Sequence, residues 1–169
     1  MIFNSYDLVI IGGGISACTL ASTIIRNGFK GTIAIVENGR KLGGRSTTRT
    51  NRKNDEIELH HGSPNFNISN NKKNPLLSSF VNELKETNAI QSDDSLVVEF
   101  DKNFNYQYQN NNDFYKGEIF KPNNTMSSLS EHILDLNNKN HQIDFHFNTT
   151  LVDFKFSNNR WIISSRNGK

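Results

Sequence analysis

The stretch Asp7–Arg49, DLVIIGGGISACTLASTIIRNGFKGTIAIVENGRKLGGRSTTR, decides the fold. Leu8-Val9-Ile10-Ile11 is a short, continuous apolar run rich in β-branched residues, as expected of a strand buried on both faces of a parallel sheet. It stops at Gly12-Gly13-Gly14. From Ile15 to Asn27 the apolar residues Ile15, Cys18, Leu20, Ala21, Ile24 and Ile25 recur at helical spacing, and Asn27-Gly28 supplies a stop. A second apolar strand, Thr32–Val36, follows and ends in Glu37. The order is strand, glycine turn, helix, strand.

Gly12, Gly14 and Ala17 form a G-x-G-x-x-A pattern at the first corner of that unit. Such a pattern suits a dinucleotide. The first glycine permits the tight turn, the second lets the backbone approach a pyrophosphate, and the small third residue keeps helix and strand close. Ile15 and Ser16 open the helix, whose N-terminus presents N–H groups and partial positive charge to phosphates. Glu37, at the end of the second strand, is placed to accept hydrogen bonds from both ribose hydroxyls and to repel a 2′-phosphate. These residues alone leave NAD and FAD both open.

The second glycine cluster narrows the choice. Glu37-Asn38 is followed by Gly39, Arg40, Gly43, Gly44, Arg45, Thr48 and Arg49. In that register the segment resembles the N-terminal signature of the flavin-containing amine oxidase superfamily, which includes renalase-like proteins, protoporphyrinogen oxidases and phytoene desaturases. The T-x-R ending leans toward the renalase-like branch. The resemblance implies FAD, with Asn38 among its binding residues, Arg40 on its adenosine side, Gly43-Gly44 beside the extended ligand, Arg45 on its pyrophosphate and Arg49 on its flavin side. Directed arginine donors suit that anion.

The resemblance continues into LHHGSPNFNI, where His61, Gly62 and Phe66 match the family's pattern and His60 stands in place of an aspartate. It implies a turn near the flavin ring, with His61, Gly62 and Ser63 as neighbours. Adjacent His60 and His61 lack the further ligands that a metal site needs, so no metal is expected. No residue is assigned as catalytic. Cys18 lies on the apolar helix face and reads as a core residue.

Pro75–Thr87 reads as an amphipathic helix with Leu76, Leu77, Phe80, Val81 and Leu84 on one side, and Leu96–Phe100 and Asn103–Gln109 as strands. The segment IFKPNNTMSSLSEHILDL resembles the family's loop-to-helix element through Met126, Ser127 and Leu129, with Thr125 as N-cap. Ile143–Phe147 reads as a strand, and the chain beyond it as a hairpin about Asn158-Asn159. By resemblance, Val152 falls where relatives place a backbone contact to adenine.

The expected fold class is therefore α/β: a Rossmann-like FAD-binding domain of the glutathione-reductase-like type with an inserted partial substrate-domain segment. The expected divisions are residues 1–69 for the first Rossmann unit and FAD segment, 70–117 for the insertion, and 118–169 for the return helix, third Rossmann strand and start of a β-meander. Set against the family, 169 residues amount to about half a typical member, so an incomplete fold is expected. The implied reaction is hydride transfer from a small-molecule substrate to flavin, with NAD(P)H as a further candidate donor. The competing reading is a non-catalytic, truncated or split nucleotide-binding module completed by a second chain.

Composition bounds the rest. Nineteen basic and 17 acidic residues are interspersed, giving a net charge of +2, and nothing resembles the basic stripe of a nucleic-acid binder. No apolar run approaches the ~20 residues that span a bilayer. The mean hydropathy is low at −0.62, largely through asparagine, yet twelve Phe, four Tyr and one Trp remain for cores. A single cysteine rules out an internal disulfide and suits a reducing, cytoplasmic setting.

Overall fold

The computed structural model describes residues 4–51, 58–69, 74–110, 117–135 and 143–166, a mixed α/β architecture. The asparagines at 111–112 and the expected domain division at 70 lie outside them.

The core of the molecule is a parallel sheet. Strands β1 (Leu8–Ile11), β2 (Ile33–Val36) and β10 (Ile143–His146) pair in the order β1-β2-β10, so β2 is central. All four residues of β2 are buried, which explains why its sequence is continuously apolar. In register, Leu8 and Ile143 flank Ile33, and Ile10 lies beside Ile35. These residues join the core cluster with helix α1 (Ile15–Arg26), where Cys18 and Ala21 are completely buried. Helix α3 (Met126–Asp135) packs on α1 and contributes Leu129, Ile133 and Leu134 to the same core. Thr125 caps α3 as expected, its hydroxyl accepting the Ser128 N–H at 3.1 Å.

Between β2 and β10 the chain builds antiparallel pairs. Strand β3 (Ser46–Thr50) pairs with β4 (Glu58–Gly62), and β9 (Gly117–Pro122) runs between β5 (Phe66–Ser69) and β6 (Ile90–Ser92). Helix α2 (Pro75–Glu86) reaches the same core cluster through Val81 and Leu84, together with Phe120 of β9. Its first turn does not: Leu76 is 80% exposed, so the apolar side read from the sequence is only half used.

Two hairpins complete the described chain. Strand β7 (Leu96–Phe100) pairs with β8 (Tyr106–Asn110), and β11 (Leu151–Ser157) with β12 (Arg160–Ser165). Asn158 and Asn159 both adopt positive φ, at 52° and 59°, the geometry a two-residue hairpin turn demands. Phe104, expected within a strand, lies instead in the β7–β8 turn. The Asp101 carboxylate accepts the N–H groups of Asn103 and Asn105 at 2.8 and 2.9 Å, and these local bonds displace the ladder. Both hairpins keep an aromatic face in solvent, with Phe100, Tyr106, Tyr108, Phe154, Phe156 and Trp161 each more than half exposed.

Candidate functional site

The site is assembled at the C-terminal edge of the parallel sheet, where β1 turns into α1. Ligands of open α/β sheets bind beyond the carboxyl ends of the strands. The Gly12 N–H still donates to Val36 O at 2.7 Å, so the turn leaves the sheet only at Gly13. Gly14 then serves as N-cap of α1. It supplies no side-chain cap, and the helix has no acidic residue in its first turn, formed by Ile15, Ser16 and Ala17. The positive end of the helix is thus left without a counter-charge of its own.

Glu37 closes the turn from the side. One carboxylate oxygen accepts the Gly13 N–H at 2.6 Å and the other the Gly39 N–H at 2.5 Å. Each oxygen retains lone-pair capacity, so a ligand hydroxyl can still donate to it. The segment after Glu37 is tied to the end of β10: Thr149 N–H donates to Glu37 O at 3.0 Å, and the Thr150 hydroxyl to Asn38 Oδ1 at 2.5 Å.

The two glycine clusters, far apart in sequence, are in contact. Gly43 N–H donates to Gly13 O at 2.8 Å, and Gly14 and Gly43 form an isolated parallel bridge. A Cβ on Gly44 would stand 3.2 Å from Gly14 Cα, tighter than side chains ordinarily approach backbone. By contrast, a Cβ on Gly14 would meet no atom of the described residues within 4 Å, and its φ of −79° suits any residue. The packing of the described residues does not explain glycine at 14, whereas a ligand drawn against the backbone does.

Beyond Gly44 the chain forms one wall of an open groove of about 740 Å³, lined by Gly44, Arg45, Ser46, His61, Gly62 and Ser63. A larger concavity, about 840 Å³, lies between α1 and α2 among Arg26, Ser78, Asn82 and Glu83, away from the glycine turn. The turn expected around His60 and His61 is instead strand β4, paired in register with Thr48 and Thr47 of β3. Cross-strand pairing with the β-branched Thr47 and Thr48 holds these polar histidines in a strand. Gly62 ends that ladder with φ of 145°, and a Cβ there would fall 1.9 Å from Arg45 O. Only glycine fits. Ser63 follows, its N–H donating to the same Arg45 carbonyl at 3.3 Å.

The expected residues therefore divide. Gly12, Gly14, Ile15, Ser16, Ala17, Glu37, Gly43 and Gly44 gather at the turn, and Arg45, His61, Gly62 and Ser63 line the adjoining groove. Arg40 is exposed in the loop after β2. Val152 is half exposed on β11, at a register shift between Leu151 and Asp153 that leaves it out of the β11–β12 ladder. Sequence reasoning gave no part to Gly13, whose N–H meets Glu37 and over which Leu42 packs. It also gave none to buried Thr48, whose N–H donates to Ser127 Oγ at 2.8 Å and whose hydroxyl lies 3.1 Å from His60 Nδ1. Both residues sit in quoted motif segments, but their pairing is non-local.

Among the described residues, no group of three or more His, Cys, Asp or Glu could hold a metal, and no helix is long and apolar enough to cross a membrane.

Comparison with known proteins agrees with this architecture. Residues 10–84 match the family described as an NAD(P)-binding Rossmann-like domain. No curated protein matches the chain in sequence. Among solved structures, it is similar to PqsL, "a probable FAD-dependent monooxygenase from Pseudomonas aeruginosa", with TM-score 0.52 and 16% identity over 98% of this chain and 40% of that one. It is also similar to the tetracycline destructase Tet(51), with TM-score 0.58 and 18% identity over 96% of this chain and 35% of that one. An oxidoreductase from Methanosarcina mazei gives TM-score 0.59 and 14% identity over 95% and 56%. The likeness is one of fold. This chain spans between about a third and just over half of these proteins' lengths.

Proposed function

We propose that this chain is the FAD-binding portion of a flavin-dependent oxidoreductase, of the amine-oxidase or renalase-like type that the segment Gly39–Arg49 resembles. The observation that carries the reading is the open space at Gly14, beside an uncapped helix N-terminus and beneath the second glycine cluster. A nucleotide's pyrophosphate fits that space, since the helix end and Arg45 offer it charge and donors. Glu37 meets the ribose hydroxyls, with Asn38 and Arg40 beside it and the Val152 backbone toward adenine. His61, Gly62 and Ser63 border the flavin end of the groove.

The chemistry that FAD supplies when bound is acceptance of a hydride from a reduced substrate. The chain's own residues bind it and orient it. A small-molecule substrate, or NAD(P)H, is the donor in this reading. The names of the similar structures, a monooxygenase and a tetracycline destructase among them, support flavin chemistry without separating amine-oxidase from monooxygenase types. The setting we propose is cytoplasmic, because a single cysteine forms no internal disulfide and suits a reducing compartment.

Titration of the purified chain with FAD tests the reading: quenching of flavin fluorescence and a bound visible spectrum are expected. A colourless protein that takes up no added FAD, or that prefers a dinucleotide lacking flavin, refutes it. One observation favours a second reading, in which the module binds nucleotide but turns over only with a second polypeptide. The aromatic faces of both hairpins are solvent-exposed here, and the similar structures carry substantially more chain. FAD uptake without turnover, restored by adding a polypeptide that supplies the rest of a flavoprotein fold, distinguishes it.

A further inference from the structure

The two walls of the site come from different parts of the chain, and one buried hydroxyl joins them. Ser127 is the second residue of α3, 3% exposed, and its Oγ accepts the Thr48 N–H at 2.8 Å. The same oxygen lies 3.4 Å from where a Cβ on Gly43 would stand, so it borders the space that glycine leaves beside the second cluster. Thr48, itself 1% exposed, passes the connection to β4 through the 3.1 Å contact of its hydroxyl with His60 Nδ1. Helix α3 in turn rests on α1, whose first turn is the nucleotide end of the site. The chain of contacts runs α3, Ser127, Thr48, His60, and so from the wall that holds the glycine turn to the wall that carries Arg45 and His61.

We infer that Ser127 is a positioning residue for the cofactor cradle: it sets β3 at the height where Gly43-Gly44 rest on Gly13-Gly14. This rests on the reading of the site as an FAD cradle. Ser127 meets no cofactor atom in the inference. It acts through Thr48 and the Gly43 N–H bond to Gly13 O. Among the described residues β3 pairs with β4 alone, so without the bond to Ser127 its buried Thr48 N–H has no partner from α3. A buried donor left unpaired drives local rearrangement. The direction of least resistance is outward, away from α3, which lifts Gly43 from Gly13.

Three full-length chains test this: wild type, Ser127→Ala and Ser130→Ala. Ser130 is the control, being completely buried on the same helix one turn later, with an Oγ that turns to the Cys18 thiol of α1 and makes no bond to β3 among the described residues. Two readouts are taken, amide hydrogen exchange at Gly43 and FAD affinity by fluorescence quenching. In Ser127→Ala the Gly43 amide is expected to exchange about tenfold faster, and FAD to bind about fivefold to tenfold more weakly, as follows from loss of one buried hydrogen bond. Core amides of β2 and the Ser130→Ala protein should match wild type in both. Unchanged Gly43 exchange in folded Ser127→Ala overturns the inference, as does an equal loss in Ser130→Ala. Should Ser127→Ala fail to fold, Ser127→Cys, with its weaker acceptor, replaces it, and wild-type exchange at Gly43 in that protein overturns the inference equally. A wild-type chain that takes up no FAD refutes the function proposed above and leaves the exchange result to decide the role of Ser127.

Discussion

Gly14→Ala separates a glycine kept for a ligand from one kept for the fold. The backbone at Gly14, φ −79° and ψ 174°, is ordinary extended conformation that alanine adopts without strain. The new methyl meets no atom of the described residues within 4 Å. Two small terms remain for the unliganded protein. Alanine is a poorer N-cap than glycine, by up to ~1 kcal/mol. It also reduces the freedom of the unfolded chain, which returns ~0.4–1 kcal/mol. They nearly cancel, and at about 2–4 °C per kcal/mol for a chain of this size the midpoint should move by less than about 3 °C. Ligand binding tells a different story. A methyl on the N-cap holds a phosphate away from the helix N-terminus and loosens charge-assisted hydrogen bonds, each contributing about 1.5–3 kcal/mol. Loss of one such bond weakens FAD by roughly tenfold to a hundredfold. Thermal unfolding followed by circular dichroism, with FAD titration of the same samples, gives both numbers. Gly44→Ala should show the reverse bias, because its φ of 55° and its 3.2 Å approach to Gly14 Cα penalise the fold directly. Wild-type FAD affinity in Gly14→Ala would refute the assignment of that space to a ligand. A fall of 10 °C or more in its midpoint would refute the claim that the fold does not need the glycine.

Three further perturbations follow from the same geometry. Gly62→Ala places a Cβ 1.9 Å from Arg45 O at a φ of 145°, so the end of the β3–β4 ladder must separate. Backbone strain of ~1–3 kcal/mol plus a lost hydrogen bond of ~1 kcal/mol predicts a midpoint lower by roughly 5–15 °C, and an unchanged midpoint contradicts it. Asp93 is nearly buried and receives hydrogen bonds from Ser95 and Asn65, with Lys121 Nζ at 3.5 Å; chiefly the Ser95 hydroxyl bond holds its carboxyl below the ordinary value of 3.8. Its folded-state pKa is depressed, so its contribution to stability is present above pH ~4 and fades as pH falls through the lower folded value. The stability difference between wild type and Asp93→Ala should accordingly narrow in acid, as measured by denaturant titration at pH 7 and below pH 4; a constant difference would argue against the ionised role. Cys18 is completely buried, and desolvation pushes its thiol up to about 11. Iodoacetamide at pH 8 should label it only after denaturation, and rapid labelling of folded protein would place the thiol outside the core.

What could be read in the sequence follows from how local each signal is. Strand β2 announces itself because burial on both faces demands a continuous apolar run, and α1 because its apolar residues keep one face toward that strand. The turn at Asn158-Asn159 is legible because few residues other than asparagine and glycine tolerate paired positive φ. Strands β3 and β4 carry no such mark. Their sequences, STTRT and ELHHG, are polar, and they become strands only by pairing with one another. The Asp101 turn shows the opposite failure: an aromatic alternation suggested a strand through Phe104, while the carboxylate three residues earlier specified a turn. In the first case strand pairing outweighed the lack of an apolar pattern, and in the second a side-chain bond outweighed periodicity.

The two glycine clusters carry the same lesson into the site. Each can be recognised separately, as a turn for phosphates and as a segment beside an extended ligand. Their mutual dependence cannot, because it arises from a bond between Gly43 and Gly13 and a close approach between Gly44 and Gly14, residues 30 positions apart. That contact changes what the glycines mean. Gly44 is required by the protein, since a side chain there would meet Gly14. Gly14 is required by none of the described residues that surround it. A residue type that the fold does not demand, at the positive end of a helix with no cap of its own, is the place where the physical argument passes from folding to binding. Ser127 belongs on the folding side of that boundary, and its effect on a ligand is transmitted only through the height of Gly43.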